Sequence, residues 1–296
     1  MRKNYRGLLC GVLLAAAIGQ FSGCGFGFGM RSSYIYDHAE KYAVGDAEIS
    51  DEIDTIDIDY ISGDVKLVKA DTDVITIEET AGKKLNDKLK VHTWVDGKTL
   101  HIKFCESGKG LNLNNLDKKL VVTVPDDVDY DKIIFDMSSG DVDVDCSAKK
   151  FDFDASSGNI NLTQTGNSDE ILADTSSGSI SVDAESIEKF VANASSGDIT
   201  VNAESIKTIH TDTSSGDNEF RLETVPETAD IEASSGQVKL YLPENADITA
   251  EIDTASGNVS YDLPFEKKED TYKCGKGTSK FRVDTSSGNV TLNKLN

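Results

Sequence analysis

Apolar and polar residues alternate along this chain in short stretches, and each stretch breaks at the tripeptide Ser-Ser-Gly. Two, four and six places after the glycines stand Val142, Val144 and Cys146; Ile160, Leu162 and Gln164; Ile180, Val182 and Ala184; Ile199, Val201 and Ala203; Val238, Leu240 and Leu242; Val259, Tyr261 and Leu263. Three, five and seven places before them stand Ala155, Phe153 and Phe151; Thr175, Ala173 and Ile171; Ala194, Ala192 and Phe190; Ala233, Ile231 and Ala229; Thr285, Val283 and Phe281. A period of two over such lengths predicts strands with one buried face. Each unit therefore carries two strands joined at Ser-Ser-Gly.

The glycines are Gly140, Gly158, Gly178, Gly197, Gly216, Gly236, Gly257 (in Ala-Ser-Gly) and Gly288, with an early copy at Gly63. Successive spacings from Gly140 are 18, 20, 19, 19, 20, 21 and 31, and Gly63 precedes Gly140 by 77. A period near twenty predicts a solenoid, because one such unit cannot bury its apolar face alone. The expected fold is an all-β parallel β-solenoid, a rod of about 40 Å at the usual strand spacing. Glycine at the corner predicts positive φ. Strand parity carried through the corner sends the serine before each glycine inward.

Residues 49–129 depart from the repeat. After a first repeat-like unit around Gly63, Leu89 to Val95 and Lys98 to Phe104 flank Asp96-Gly97, a hairpin signal. These residues predict a mainly antiparallel β cap, which would protect the open coil end. The regular coils occupy residues 130–296, with Gly288 in the last coil and an insertion at 264–280 accounting for the long gap.

The first residues read as a leader. Arg2, Lys3 and Arg6 precede an apolar run from Leu8 to Ile18, too short to span a membrane. Phe21-Ser22-Gly23-Cys24 follows and resembles the lipobox of bacterial lipoproteins, with Phe21 at the usual leucine. The resemblance implies cleavage after residue 23 and lipid on Cys24. Residues 24–48 then read as lipid anchor and flexible tether.

Formal net charge is −22, and removing Arg2, Lys3 and Arg6 with the leader leaves −25. Such acidity argues against nucleic acid and anionic headgroups and favours cationic partners. Beyond Cys10 and Cys24 remain Cys105, Cys146 and Cys274, an odd number with no metal or redox spacing. No cofactor and no metal are expected.

Two clusters are candidates for binding. With Asp96-Gly97 as the turn, His92 would oppose His101, and Trp94 would share their face. Two imidazoles fall short of a zinc set. The alternatives are a packing pair or a patch of His92, Trp94 and His101 stacking on a sugar or peptide. Four places before the glycines stand Asp136, Asp154, Asp174, Asp212, Asp253 and Asp284, with Asp59, Asn193 and Glu232 in the same series. Parity turns them outward as an acidic ladder suited to calcium or a basic partner. His210, Asp212 and Ser214 occupy ordinary repeat positions, so catalysis is not expected.

The Ser-Ser-Gly-Asp-Val-Asp-Val unit at Ser138 to Val144 and the Ser-Ser-Gly-Asp-Ile-Thr-Val unit at Ser195 to Val201, with Val124-Pro125 ahead of the first full coil, resemble a bacterial domain family of unknown function usually called "putative adhesin". Head domains of autotransporter adhesins look similar. The resemblance covers about residues 50–296 and implies a β-solenoid at the cell surface, without catalytic residues. The leading expectation is a non-enzymatic, lipid-anchored binding module of the cell envelope with an extracellular protein or glycan ligand. An envelope-stress sensor for cationic peptides is the alternative, and a polysaccharide-degrading enzyme ranks last.

Overall fold

In a coil that stacks on its neighbours, every residue has an equivalent directly above and below it, and the strand registers follow that rule. The computed structural model describes residues 33–110 and 116–295. After each glycine one strand joins a first sheet, where Val65, Val142, Ile160, Ile180, Ile199, Asn218 and Val238 lie in register. Before the next glycine the chain joins a second sheet, where Ile56, Ile133, Phe151, Ile171, Phe190, Ile209 and Ala229 lie in register. Three strands, Ile160–Ser177, Ile180–Ser196 and Ile199–Ser215, run through both sheets around the far corner. All contacts between coils are parallel. The protein is a two-sheet parallel β-solenoid.

The alternating apolar residues fill the space between the sheets. Ile160, Leu162, Ile171, Ala173, Ile180, Val182, Phe190 and Ala192 are each at most 2% exposed. Like stacks on like: the Phe135 and Phe153 rings lie 5.4 Å apart at 19°. Burial of this size is the main force holding the rod together.

At the corner two expectations change. The serines preceding the glycines, such as Ser157, Ser177, Ser196 and Ser215, are exposed rather than inward. Pairing skips Ser156 and resumes at Ser157 with Ser177, so the backbone leaves strand geometry and parity is lost there. Positive φ is not the common requirement either. Gly140, Gly158, Gly178 and Gly197 have φ between +115° and +158°, while Gly216, Gly236, Gly257 and Gly288 fall outside that region. What all of them share is close approach. A Cβ on any one would collide with the carbonyl oxygen of the glycine in the adjoining coil. Those contacts also give the spatial order of the coils: 63, 140, 158, 178, 197, 216, 236, 288, 257.

The Gly288 coil is therefore not terminal. Strand Ser279–Thr285 lies between Thr228–Ala233 and Ile248–Thr254, and Val290–Lys294 lies between Val238–Leu242 and Val259–Tyr261. The inserted hairpin, Glu266–Lys268 with Thr271–Cys274, pairs antiparallel with Ile248–Thr254. It occupies the edge where another coil would sit, so the coil that carries it must be the outer one.

The N-terminal cap is antiparallel in its hairpins but docks on the Gly63 coil through two parallel contacts. Strand Thr99–Lys103 pairs with Thr55–Ser62, and Lys119–Pro125 pairs with Asp64–Ala70. Beneath it Lys118, fully buried, ion-pairs with Glu79 at 2.7 Å and donates to the Leu89 and Phe104 carbonyls. Glu79 also accepts from Tyr60 Oη and the Val91 amide, so every polar group of this buried pair is satisfied.

Residues 33–48 do not form a tether. Ser33–Tyr34 pairs with Lys109–Gly110, Ala43–Val44 with the hairpin strand His92–Asp96, and Ala47–Ile49 with Ile75–Thr80. Tyr34 is buried and its hydroxyl donates to the Asp59 carbonyl, so an aromatic anchor binds this polar segment to the cap. The leader and Cys24 lie outside the described residues.

Candidate functional site

Outward residues of the pre-glycine strands inherit the register of the backbone. Asp59, Asp136, Asp154, Asp174, Asn193, Asp212, Glu232, Asp284 and Asp253 consequently stand directly opposite one another, coil by coil. At about 4.8 Å between strands, neighbouring carboxylates repel. Cations relieve this at both ends. Lys103 lies 3.5 Å from Asp59, and Arg282 reaches Glu232 at 3.0 Å and Asp284 at 3.3 Å. In the middle, among the described residues, Asp136, Asp154 and Asp212 make no ion pair, and Asp174 is bound only by the Asn193 amide at 2.5 Å. Burial, reinforced by the charges of Asp136 and Asp174, pushes the Asp154 carboxyl above its usual value. Asp136 is raised for the same reasons, with Asp59 the main neighbouring charge.

This central stretch is concave. Asp154, Asp174, Asn193 and Asp212, with Ser176, Ser195 and Ser214 beside them, line a groove of about 310 Å³. A second groove of about 350 Å³ lies between Glu251, Asp253, Glu269, Asp270 and Asp284, with Arg282 in its wall. The exposed serines of the repeat thus form a hydroxyl border along the carboxylates. No group of three His, Cys, Asp or Glu residues is placed to hold a metal ion among the described residues.

The hairpin patch is arranged differently from the expectation. His92 opposes Lys103, and Trp94 opposes His101. The two-residue loop is Gly97-Lys98, with positive φ at Gly97 (61°), as in hairpins carrying glycine at the first central position. The register moves by one pair while the faces stay as read. His92 is 5% exposed, its Nδ1 facing the Lys90 carbonyl at 2.9 Å. His101 stacks on Trp94 at 5.5 Å and meets Asp57 at 2.7 Å. Trp94 is further engaged by Lys41, 4.5 Å from its centroid, and by the edges of His38 and Tyr42. Tyr42 continues the chain of rings to Tyr36 and Tyr34. This cluster clasps residues 34–44 onto the hairpin, so Trp94 is committed to internal contacts. His210 faces Asp230 of the next coil at 3.5 Å, apart from any triad.

A second polar ladder escaped the sequence reading. In most coils the residue after the glycine accepts the backbone amide of its equivalent in the next coil. Asp141 accepts from Asn159 at 2.8 Å, Asn159 from Ser179 at 3.0 Å, Asp198 from Asp217 at 2.8 Å and Asp217 from Gln237 at 2.8 Å. The recurrence of Asp, Asn and Ser after glycine was the available signal, since these side chains cap free amides at turns.

Cys105, Cys146 and Cys274 are free and buried. Burial raises all three thiols, Cys105 to about 11, which keeps them protonated and unreactive.

Glycine corners stacked backbone to backbone, two parallel sheets and a repeat near twenty residues define a β-solenoid of the toast-rack kind. The chain belongs to the Toastrack DUF4097 family, whose model matches residues 53–293. None of the curated proteins is detectably similar to it. Among solved structures, a "putative lipid binding protein" from Parabacteroides distasonis is 18% identical with a TM-score of 0.48, over 86% of this chain and 97% of that one. A "putative adhesin" from Bacteroides fragilis is 16% identical with a TM-score of 0.43, over 84% and 97%. A "putative cell adhesion protein" from Clostridium sporogenes is 10% identical with a TM-score of 0.28, over 86% and 100%. Similarity at this level carries no functional information.

Proposed function

We propose that the protein is a non-enzymatic binding module displayed on the outside of the cell, of the adhesin type, whose acidic groove receives an extended cationic partner. The observation that carries this reading is the unneutralised run of carboxylates at Asp136, Asp154, Asp174 and Asp212. A periodic row of like charges costs the fold free energy and is relieved by a ligand bearing positive charges at similar spacing. The surface location rests on the leader and on lipid at Cys24. A flexible basic segment of a protein or peptide fits the groove better than a glycan, because the groove presents carboxylates and hydroxyls while Trp94 is occupied.

Titration of the full chain with a lysine-rich peptide at physiological salt tests the reading. Saturable binding is expected, lost when Asp136, Asp154, Asp174 and Asp212 are all changed to Asn. Binding that survives those changes, or that vanishes at physiological salt, would sink it. Labelled fatty acid incorporated by the wild type and not by Cys24→Ser would support the anchor; equal incorporation would remove it.

A further inference from the structure

The hairpin of the N-terminal cap holds the one tryptophan of the chain, and a cation sits over its ring. Strand His92–Asp96 pairs with Thr99–Lys103, which sets Trp94 opposite His101 on one face. Residues 38–42 meet the same indole. His38 has left-handed backbone (φ 56°) and opens a single 3-10 turn, Ala39–Lys41. That tight turn brings three side chains to one ring. Lys41 Nζ stands 4.5 Å from the Trp94 centroid. His38 and Tyr42 approach the ring at 5.4 and 5.5 Å, each inclined to it at 61°. The indole is thus a floor, with two aromatic rings raised against it as walls and an ammonium over it.

Lys41 fits this seat by its charge but not by its hydrogens. An ammonium carries three N–H donors, yet Lys41 Nζ makes no hydrogen bond and no ion pair among the described residues. The seat presents π faces instead of acceptors, so a cation without N–H groups gives up no hydrogen bond there. Charge around the seat favours a cation. Burial, with the charges of Asp57, Asp59 and Asp96, pushes the Tyr42 hydroxyl above its usual value. Asp57 and Asp59 meet Lys103 at 3.6 and 3.5 Å, whereas Asp96 makes no ion pair among the described residues.

The seat is also open to water. Lys41 and His38 are exposed, and Trp94 and Tyr42 are half-buried. The lysine can swing out without disturbing a strand, because other contacts hold its segment to the cap. Ala43–Val44 pairs with the hairpin, and Tyr42 packs on Tyr36.

We propose that the Trp94 ring, walled by His38 and Tyr42, is a binding site for a quaternary ammonium group of the choline type, with Lys41 as its resident stand-in. The ligand takes the π face when the lysine moves into solvent. Lys41 is tethered beside the ring, so it competes at high effective concentration and holds down the affinity of the wild type. The site belongs to the cap and is independent of the acidic groove.

Titration of the full chain with tetramethylammonium and with choline, read by the fluorescence of Trp94, tests this. A saturable change is expected, and the uncharged tert-butyl isostere of choline should give none. Lys41→Ala should tighten binding about tenfold, the factor that follows if the lysine holds the ring about nine-tenths of the time. Adding Tyr42→Leu to that variant should weaken binding about threefold, as for one exposed cation–π contact. Phosphatidylcholine vesicles separate the sources of the ligand. Binding to them as well as to choline assigns a lipid headgroup, and binding to choline alone assigns a free ligand; either upholds the site. No saturable change in the wild type or in Lys41→Ala would overturn the proposal. So would an equal response to the uncharged isostere, or indifference to both substitutions. Loss of the response on changing Asp136, Asp154, Asp174 and Asp212 to Asn would also overturn it, placing the cation in the groove.

Discussion

Two polar ladders rich in aspartate climb this rod, a few residues apart in every coil, and they have opposite fates. The one just after the glycines, through Asp141, Asn159, Asp198 and Asp217, meets a backbone amide of the next coil at each step. The one four places before them, through Asp136, Asp154, Asp174 and Asp212, lies beside strands whose amides are already paired in the sheet. Carboxylates that find donors become part of the scaffold. Those that find no backbone donor remain available to a partner. Periodicity is the same in both and aspartate occurs in both, so for those aspartates the local supply of free N–H groups decides between structure and function.

The sharpest way to break the comparison is to disturb the corner that separates the ladders. Gly178→Ala sets a methyl against the Gly158 carbonyl and should cost about 3 kcal/mol, at the upper end for overpacking. Chemical denaturation would measure it; a cost below about 1 kcal/mol would mean that the coils separate easily.

Neutralising Asp136, Asp154, Asp174 and Asp212 together should abolish binding of the lysine-rich peptide and leave stability unchanged or raised by up to about 1 kcal/mol. A marked loss of stability would show that this ladder, too, is structural.

Asp217→Ala should do the reverse. It removes the acceptor of the Gln237 amide and a 3.4 Å ion pair with Lys239. A cost of about 1 kcal/mol follows, with peptide binding retained, as calorimetry and denaturation would read.

The smallest effect is in pH dependence. Asp136 and Asp154 titrate above their ordinary value near 3.8 in the folded chain. Between that value and the raised one, the native state holds more protons than the unfolded state, so stability falls as pH rises through the window. Asp136→Asn/Asp154→Asn should therefore exceed the wild type at pH 7 by less than about 1 kcal/mol after screening, with the difference vanishing near pH 4. Asp57 acts in the opposite sense. Despite its burial, His101 and Lys103 hold its carboxyl below 3.8, and the stability it adds is lost on going further acid. A wild-type advantage at pH 7 would contradict the reading of the open ladder.

The alternation around Ile160, Ile180 and Ile199 made the strands and their buried faces legible, and the glycine spacing made the solenoid legible. The outward acidic series was equally plain, because parity alone places it. Parity also kept Trp94 and His101 on one face, although the turn at Gly97-Lys98 shifted their pairing by a step. A hairpin reverses within a residue or two, and the dipeptide Asp-Gly is compatible with glycine at either central position. The corner serines were misassigned because parity holds only while the backbone remains extended.

By itself the sequence determined what repeats: the coil length, the inward and outward positions, the small residue at each corner and the acidity of one face. Tertiary structure alone decided which coil lies next to which, seen in the Gly288 coil slipping between those of Gly236 and Gly257. Each coil offers its neighbours nearly the same backbone ladder and apolar strip, so local sequence scarcely distinguishes one stacking order from another. It likewise decided which acids were used by the fold, because that depends on amides contributed by a different coil.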